Sequence, residues 1–111
     1  MTLPDFILAM PALDLPLGDD VVRTNAIRSD AGLMVLFRFL KEVDLPPHSH
    51  KGQWGTVIEG WIELTIDGAT RRYMPGESYA IPSGVVHGVK APKGAVAIDI
   101  FEEPDRYPFR R

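Results

Sequence analysis

The stretch His-Ser-His-Lys-Gly-Gln-Trp-Gly-Thr-Val-Ile-Glu-Gly, residues 48 to 60, decides how the chain is read. Side chains two apart on a strand share a face, so His48 and His50 look the same way and Ser49 turns aside. Two neutral imidazoles side by side suit a transition metal. The only other histidine, His87, lies in Gly76-Glu-Ser-Tyr-Ala-Ile-Pro82-Ser-Gly84-Val-Val-His87. That segment reads as strand, tight turn, strand. If the two segments are neighbours in a sheet, three imidazoles converge.

Together the two segments resemble the paired motifs of the cupin superfamily. His48, His50 and Gly60 match the first motif, and Gly76, Pro82, Gly84 and His87 match the second at the family spacing. Gln53 stands where the family places a glutamate ligand, Glu42 occupies the opening glycine position, and Ala91 replaces a closing asparagine. The resemblance spans residues 33 to 104. It implies an all-β fold, the antiparallel double-stranded β-helix or jelly roll. It also implies a divalent transition metal (Zn, Ni, Fe, Cu, Co or Mn) held by His48, His50, Gln53 and His87. Small cupins include dioxygenases and isomerases acting on small organic molecules, and also proteins that only bind or sense a ligand. Both remain open here, with the enzyme slightly favoured.

Gln53 lies three residues beyond His50, the wrong parity for a shared face of a regular strand. A bulge at Lys51-Gly52 would restore it, because glycine accepts the backbone angles a bulge often needs. A carboxamide in place of the carboxylate keeps one neutral oxygen donor and cannot act as a general base near neutral pH. Gln53 either ligates the metal or supports a ligand from behind. Trp54 and Tyr79, and with them Trp61 and Tyr73, are candidates to line a pocket for a small ligand, although strand aromatics more often belong to the core. Asp99, inside the apolar run Val96 to Phe101, faces solvent, makes a structural hydrogen bond, or serves catalysis. Ser49, Ser78 and Ser83 lack the neighbouring base that a nucleophile needs.

The rest of the chain agrees with a barrel. Its 111 residues make one domain, with 45% hydrophobic and 24% charged residues and a net charge of −3. Basic residues adjoin only in short pairs such as Arg71-Arg72 and the terminal Arg110-Arg111, so no nucleic-acid partner is expected. With no cysteine there are no disulfides or thiolate ligands. Phe6 to Leu13 is too short and too broken for a membrane span or signal peptide, which makes the cytoplasm the default location. Strands are expected over residues 21–27, 33–43, 54–58, 61–66, 71–74, 78–81, 86–90 and 95–101. Asp67-Gly68, Pro75-Gly76, Pro82-Ser-Gly84 and Pro92-Lys-Gly94 supply the turns. The long run 33–43 suits a strand buried on both faces, ended by Pro46-Pro47. The chain then divides into an extended arm over residues 1–20, a barrel over 21–104 and a polar surface tail over 105–111. Prolines at 4, 11 and 16 forbid a long helix in the arm. Its leucines pack on the barrel or on a second subunit, and a homodimer is expected.

Overall fold

The structure is a computed structural model that describes residues 1–111. Nine strands form two antiparallel sheets in the expected jelly-roll arrangement. They are β1 (Val22–Ser29), β2 (Gly32–Phe39), β3 (Val43–His48), β4 (Gln53–Glu59), β5 (Ile62–Ile66), β6 (Ala69–Tyr73), β7 (Ser78–Ile81), β8 (His87–Ala91) and β9 (Val96–Phe101). The five-stranded sheet runs β1-β2-β9-β4-β7 and the four-stranded sheet β3-β8-β5-β6. No helix is long and apolar enough to cross a membrane. The one helix, α1 (Asp5–Leu8), is a single turn inside the arm.

The inner faces build the core by simple alternation. Leu33, Val35 and Phe39 of β2 point inward, as do Val57 of β4, Ile62 and Leu64 of β5, and Phe101 of β9. Leu13 is fully buried against Ala26, Leu33 and Val35. Its amide donates to Thr24 Oγ1 (2.9 Å), and it bridges to Phe109 of the tail. Leu15 and Leu17 also pack on the barrel. Both chain ends are therefore laid on the barrel's own core.

Two expectations are corrected here. The run 33–43 is not one strand buried on both faces. It breaks after Phe39, and Met34 is exposed on the outer side. Pro46-Pro47 does not end a strand either, because both prolines lie inside β3. Proline is tolerated there because β3 is the edge of its sheet and its register shifts between Leu45 and His48. No ladder hydrogen bond is lost where none is required.

One rung of the five-stranded sheet is apolar across its whole outer face: Ile27, Met34, Ile100, Trp54 and Ala80 stand side by side. Ile27, Met34 and Trp54 are among the most exposed large apolar side chains of the molecule.

Candidate metal centre

His48 closes β3 and pairs directly with His87, the first residue of β8. His50 follows in the short turn that carries the chain from the four-stranded sheet to the five-stranded one. This turn is pinned from three sides. The Lys51 amide donates to Glu103 Oε1 and the Gly52 amide to Glu102 Oε1, each at 2.9 Å. The Gly84 amide donates to the His50 carbonyl at 2.8 Å. Gly84 has φ +81°, the left-handed region that favours glycine, so the second motif's turn is shaped to hold the first motif's backbone.

The three imidazoles come together. One ring nitrogen from each lies within 4.8 Å of the other two. Ring centroids are 4.4 Å apart for His48–His87, 4.7 Å for His50–His87 and 5.5 Å for His48–His50. Their Nδ1 atoms sit against backbone carbonyls: His48 on Pro46 (2.9 Å), His50 on Lys51 (2.6 Å) and His87 on Val85 (3.0 Å). A carbonyl can only accept, so each Nδ1 carries the proton and each Nε2 presents a lone pair. His87 is buried, and its Nε2 has no hydrogen-bond partner. A buried, unpartnered imidazole nitrogen beside two others of the same tautomer fits a divalent transition metal. Burial lowers the pKa of His50 and His87, helped by Arg106 and by the neighbouring imidazoles. Both rings are thus neutral, the form a metal takes.

Gln53 begins β4 and also lines the cavity of the imidazoles. The parity expectation is corrected. There is no bulge at Lys51-Gly52, because His48 and Gln53 belong to different strands in different sheets. The turn between them, not strand alternation, sets both directions. The Gln53 amide Nε2 donates to Asp99 Oδ1 at 3.0 Å, and the Tyr79 hydroxyl donates to the same oxygen at 2.6 Å. Asp99, Gly55 and Tyr79 occupy one rung of β9, β4 and β7. A Cβ on Gly55 would collide with both Asp99 and Tyr79. The glycine is what lets the two side chains meet over the middle strand.

Trp54 is corrected as a pocket residue. It is 44% exposed and belongs to the outer apolar rung. Adjacent residues of a strand face opposite ways, so an inward Gln53 forces Trp54 out. Tyr79 lies in the cavity, as does Tyr107 from the tail, which the sequence reading left on the surface. The cavity measures about 130 Å³, and apolar side chains such as Phe37, Phe39, Leu45 and Leu64 form most of its wall. A cavity on the order of 150 Å³ accepts a ligand the size of benzene. Of the three alternatives for Asp99, the buried hydrogen-bonded one holds, and solvent exposure is excluded; Tyr107 was not singled out, although two aromatics inside a polar tail were a visible signal.

Burial pushes Asp99 up to about 6, against the lowering effect of its bonds from Tyr79 and Gln53. Burial, with the adjacent Asp99, drives the Tyr79 hydroxyl further up and keeps it protonated.

With this geometry in hand, the family is settled. A family model described as a cupin domain matches residues 35–101, and the chain belongs to that family. Among solved structures it is similar to KdgF from Halomonas sp. (25% identity, TM-score 0.69, covering 90% of this chain and 86% of that one). It is similar also to an RmlC-like cupin from Shewanella frigidimarina (25% identity, TM-score 0.73, covering 89% and 87%). Oxalate decarboxylase from Bacillus subtilis, a protein with Mn(II) centres, shares the fold at 20% identity (TM-score 0.70), with 89% of this chain covering 28% of that one. No functionally curated protein matches the chain.

The Gln53–Asp99 bond explains the departure from the family glutamate. A glutamate at position 53 would set one carboxylate against another, and one of them would have to take up a proton. In metal-free protein, Gln53→Glu is expected to destabilise the fold in the wild-type background and to do so less when Asp99 is asparagine. Urea unfolding of the double-mutant cycle should give a coupling energy of about 0.5–3 kcal/mol. Additive effects would sink the pairing.

Asp99 also sets a pH dependence. In the unfolded chain it titrates near 3.8, and in the fold near 6. Below the lower value both states are protonated and the group is neutral to folding. Between the two values the unfolded chain gives up its proton while the fold still holds it, so stability falls as pH rises from about 4 and the loss is complete above about 6. That difference corresponds to about 3 kcal/mol. Unfolding of metal-free wild type and Asp99→Asn at pH about 4 and about 7 should show the wild type losing roughly 2–3 kcal/mol relative to the variant, part of the full difference already being lost at pH about 4. An unchanged difference between the two pH values would refute the assignment.

Proposed function

We propose that the protein is a metal-dependent enzyme of isomerase or dioxygenase type acting on a small organic molecule. One observation carries this reading: three imidazoles presenting Nε2 and a buried carboxylate open onto the same cavity. A divalent metal on His48, His50 and His87 would supply Lewis acidity to a substrate oxygen. The amide oxygen of Gln53 is left free by its Nε2–Asp99 bond and would serve as a fourth donor to such an ion. Asp99, its pKa pushed up to about 6 by burial, accepts and returns a proton, and Tyr79 and Gln53 hold it in place. The apolar wall receives the substrate's carbon skeleton. Arg106 stacks on Tyr107 at 4.6 Å with its Nε buried and unpartnered, and its charge is felt by His50 and His87. A substrate with an anionic group, such as a carboxylate, would satisfy it.

Purified protein incubated with Zn, Ni, Fe, Cu, Co or Mn should hold about one ion per chain by elemental analysis, and His50→Ala should lose it. Protein that takes up none of these ions would end the metal reading. Oxygen consumption by the loaded form in a screen of small acids separates the dioxygenase branch from the isomerase branch.

A homodimer fits the outer rung of Ile27, Met34 and Trp54, since a contiguous exposed apolar patch marks an interface. In the arm, Phe6 and Leu8 are also exposed. Sedimentation at micromolar concentration should give a dimer for wild type and a monomer for Met34→Glu. A wild-type monomer would exclude it.

A further inference from the structure

Outside the metal cavity, the outer side of β1 and β2 holds a second groove of about 260 Å³. It shares only Val22 with the metal cavity. Three arginines line it: Arg23, Arg38 and Arg110. Arg23 and Arg38 are direct cross-strand partners, an arrangement of like charges that costs stability. Arg110 is answered by Asp19, to which it donates through both terminal nitrogens, and more distantly by Asp14. Neither Arg23 nor Arg38 forms an ion pair. The groove therefore carries uncompensated positive charge on a chain of net charge −3.

Two buried polar atoms in this groove have no partner: Arg38 Nε and Asn25 Oδ1. Asn25 is 7% exposed. Its Nδ2 donates to the carbonyls of Leu8 (3.2 Å) and Met10 (2.9 Å), which fixes the amide's orientation and ties the arm over the groove. The site thus offers planar, charged donors from Arg23 and Arg38 and one buried acceptor from Asn25. A buried acceptor without a donor and a guanidinium without an anion are both costly, so each calls for the group it lacks.

We propose that this groove is a phosphate-binding site, separate from the metal centre. The ligand is a phosphate group, free or as a small phosphomonoester. Its oxygens take the guanidinium fork of Arg38 and the charge of Arg23. Its protonated oxygen, or a hydroxyl of the ester, donates to Asn25 Oδ1. Sulfate matches phosphate in shape and charge but has no proton to give that acceptor. The site therefore discriminates between the two ions.

The test is a titration of the full chain by calorimetry and thermal unfolding, with inorganic phosphate, glycerol 3-phosphate and sulfate. It is run on chelator-treated and metal-loaded protein. Phosphate is expected to bind and raise the unfolding midpoint equally in both forms. Sulfate should bind about tenfold or more weaker. Arg38→Gln should weaken phosphate about ten- to hundredfold, as loss of a charged hydrogen bond does. Arg23→Gln, at an exposed position where folding is not at stake, should also weaken it. Tighter binding of the ester identifies an ester ligand, and tighter binding of the inorganic ion a free one. No binding by wild type, binding only in the metal-loaded form, equal affinity for sulfate, or indifference to both arginine substitutions would each overturn the proposal.

Discussion

The architecture of the site depends on one short crossing, the turn from Ser49 to Gly52 that passes the chain between sheets. Everything that faces the cavity from the first motif is aimed by it. It has no regular secondary structure, so it must be held from outside. Glu102 and Glu103 accept its amide protons, and the Gly84 amide donates to its His50 carbonyl. Charged acceptors make the stronger hydrogen bonds, which suits a turn lying close to the surface. The same clamp brings the end of β9 and the Pro82–Gly84 turn to the first motif. The two histidine-bearing segments are therefore one mechanical unit, although they are far apart in the chain.

Around that unit the molecule separates two tasks by sheet. The four-stranded sheet supplies His48 and His87 from neighbouring edge and inner strands, each ring steadied by the carbonyl two residues before it. The five-stranded sheet supplies the Gln53–Asp99–Tyr79 cluster over Gly55. The three imidazoles and the Asp99 carboxyl thus come from opposite walls. A substrate between them would meet both.

The barrel and the histidine trio were legible because they rest on local signals: glycine and proline turns, alternation, and spacing within two short motifs. Gln53 was legible as a departure, but its partner was not. Asp99 lies 46 residues away and Tyr79 20 residues from Asp99. Only the order β9-β4-β7 brings the three together, and strand order is not written in any local pattern. Pro46-Pro47 misled because proline's meaning depends on whether a strand lies at an edge. The joint placement of Gln53 and Trp54 in one pocket was avoidable, since alternation permits only one of two adjacent residues to face in. The tail was read by its charges, and Tyr107 and Phe109 among them carried the packing.

Where the aromatic side chains sit also determines what light can report. The chain has two tryptophans. Trp54 lies on the outer rung, and Trp61 is covered by the Arg72 guanidinium at 3.8 Å. Neither lines the cavity, whereas Tyr79 and Tyr107 do. Intrinsic tryptophan emission is therefore a gauge of the outer surface and of whatever packs on it. Occupancy of the cavity belongs to the tyrosine band, so a titration followed at tryptophan wavelengths alone would pass over the chemistry in silence.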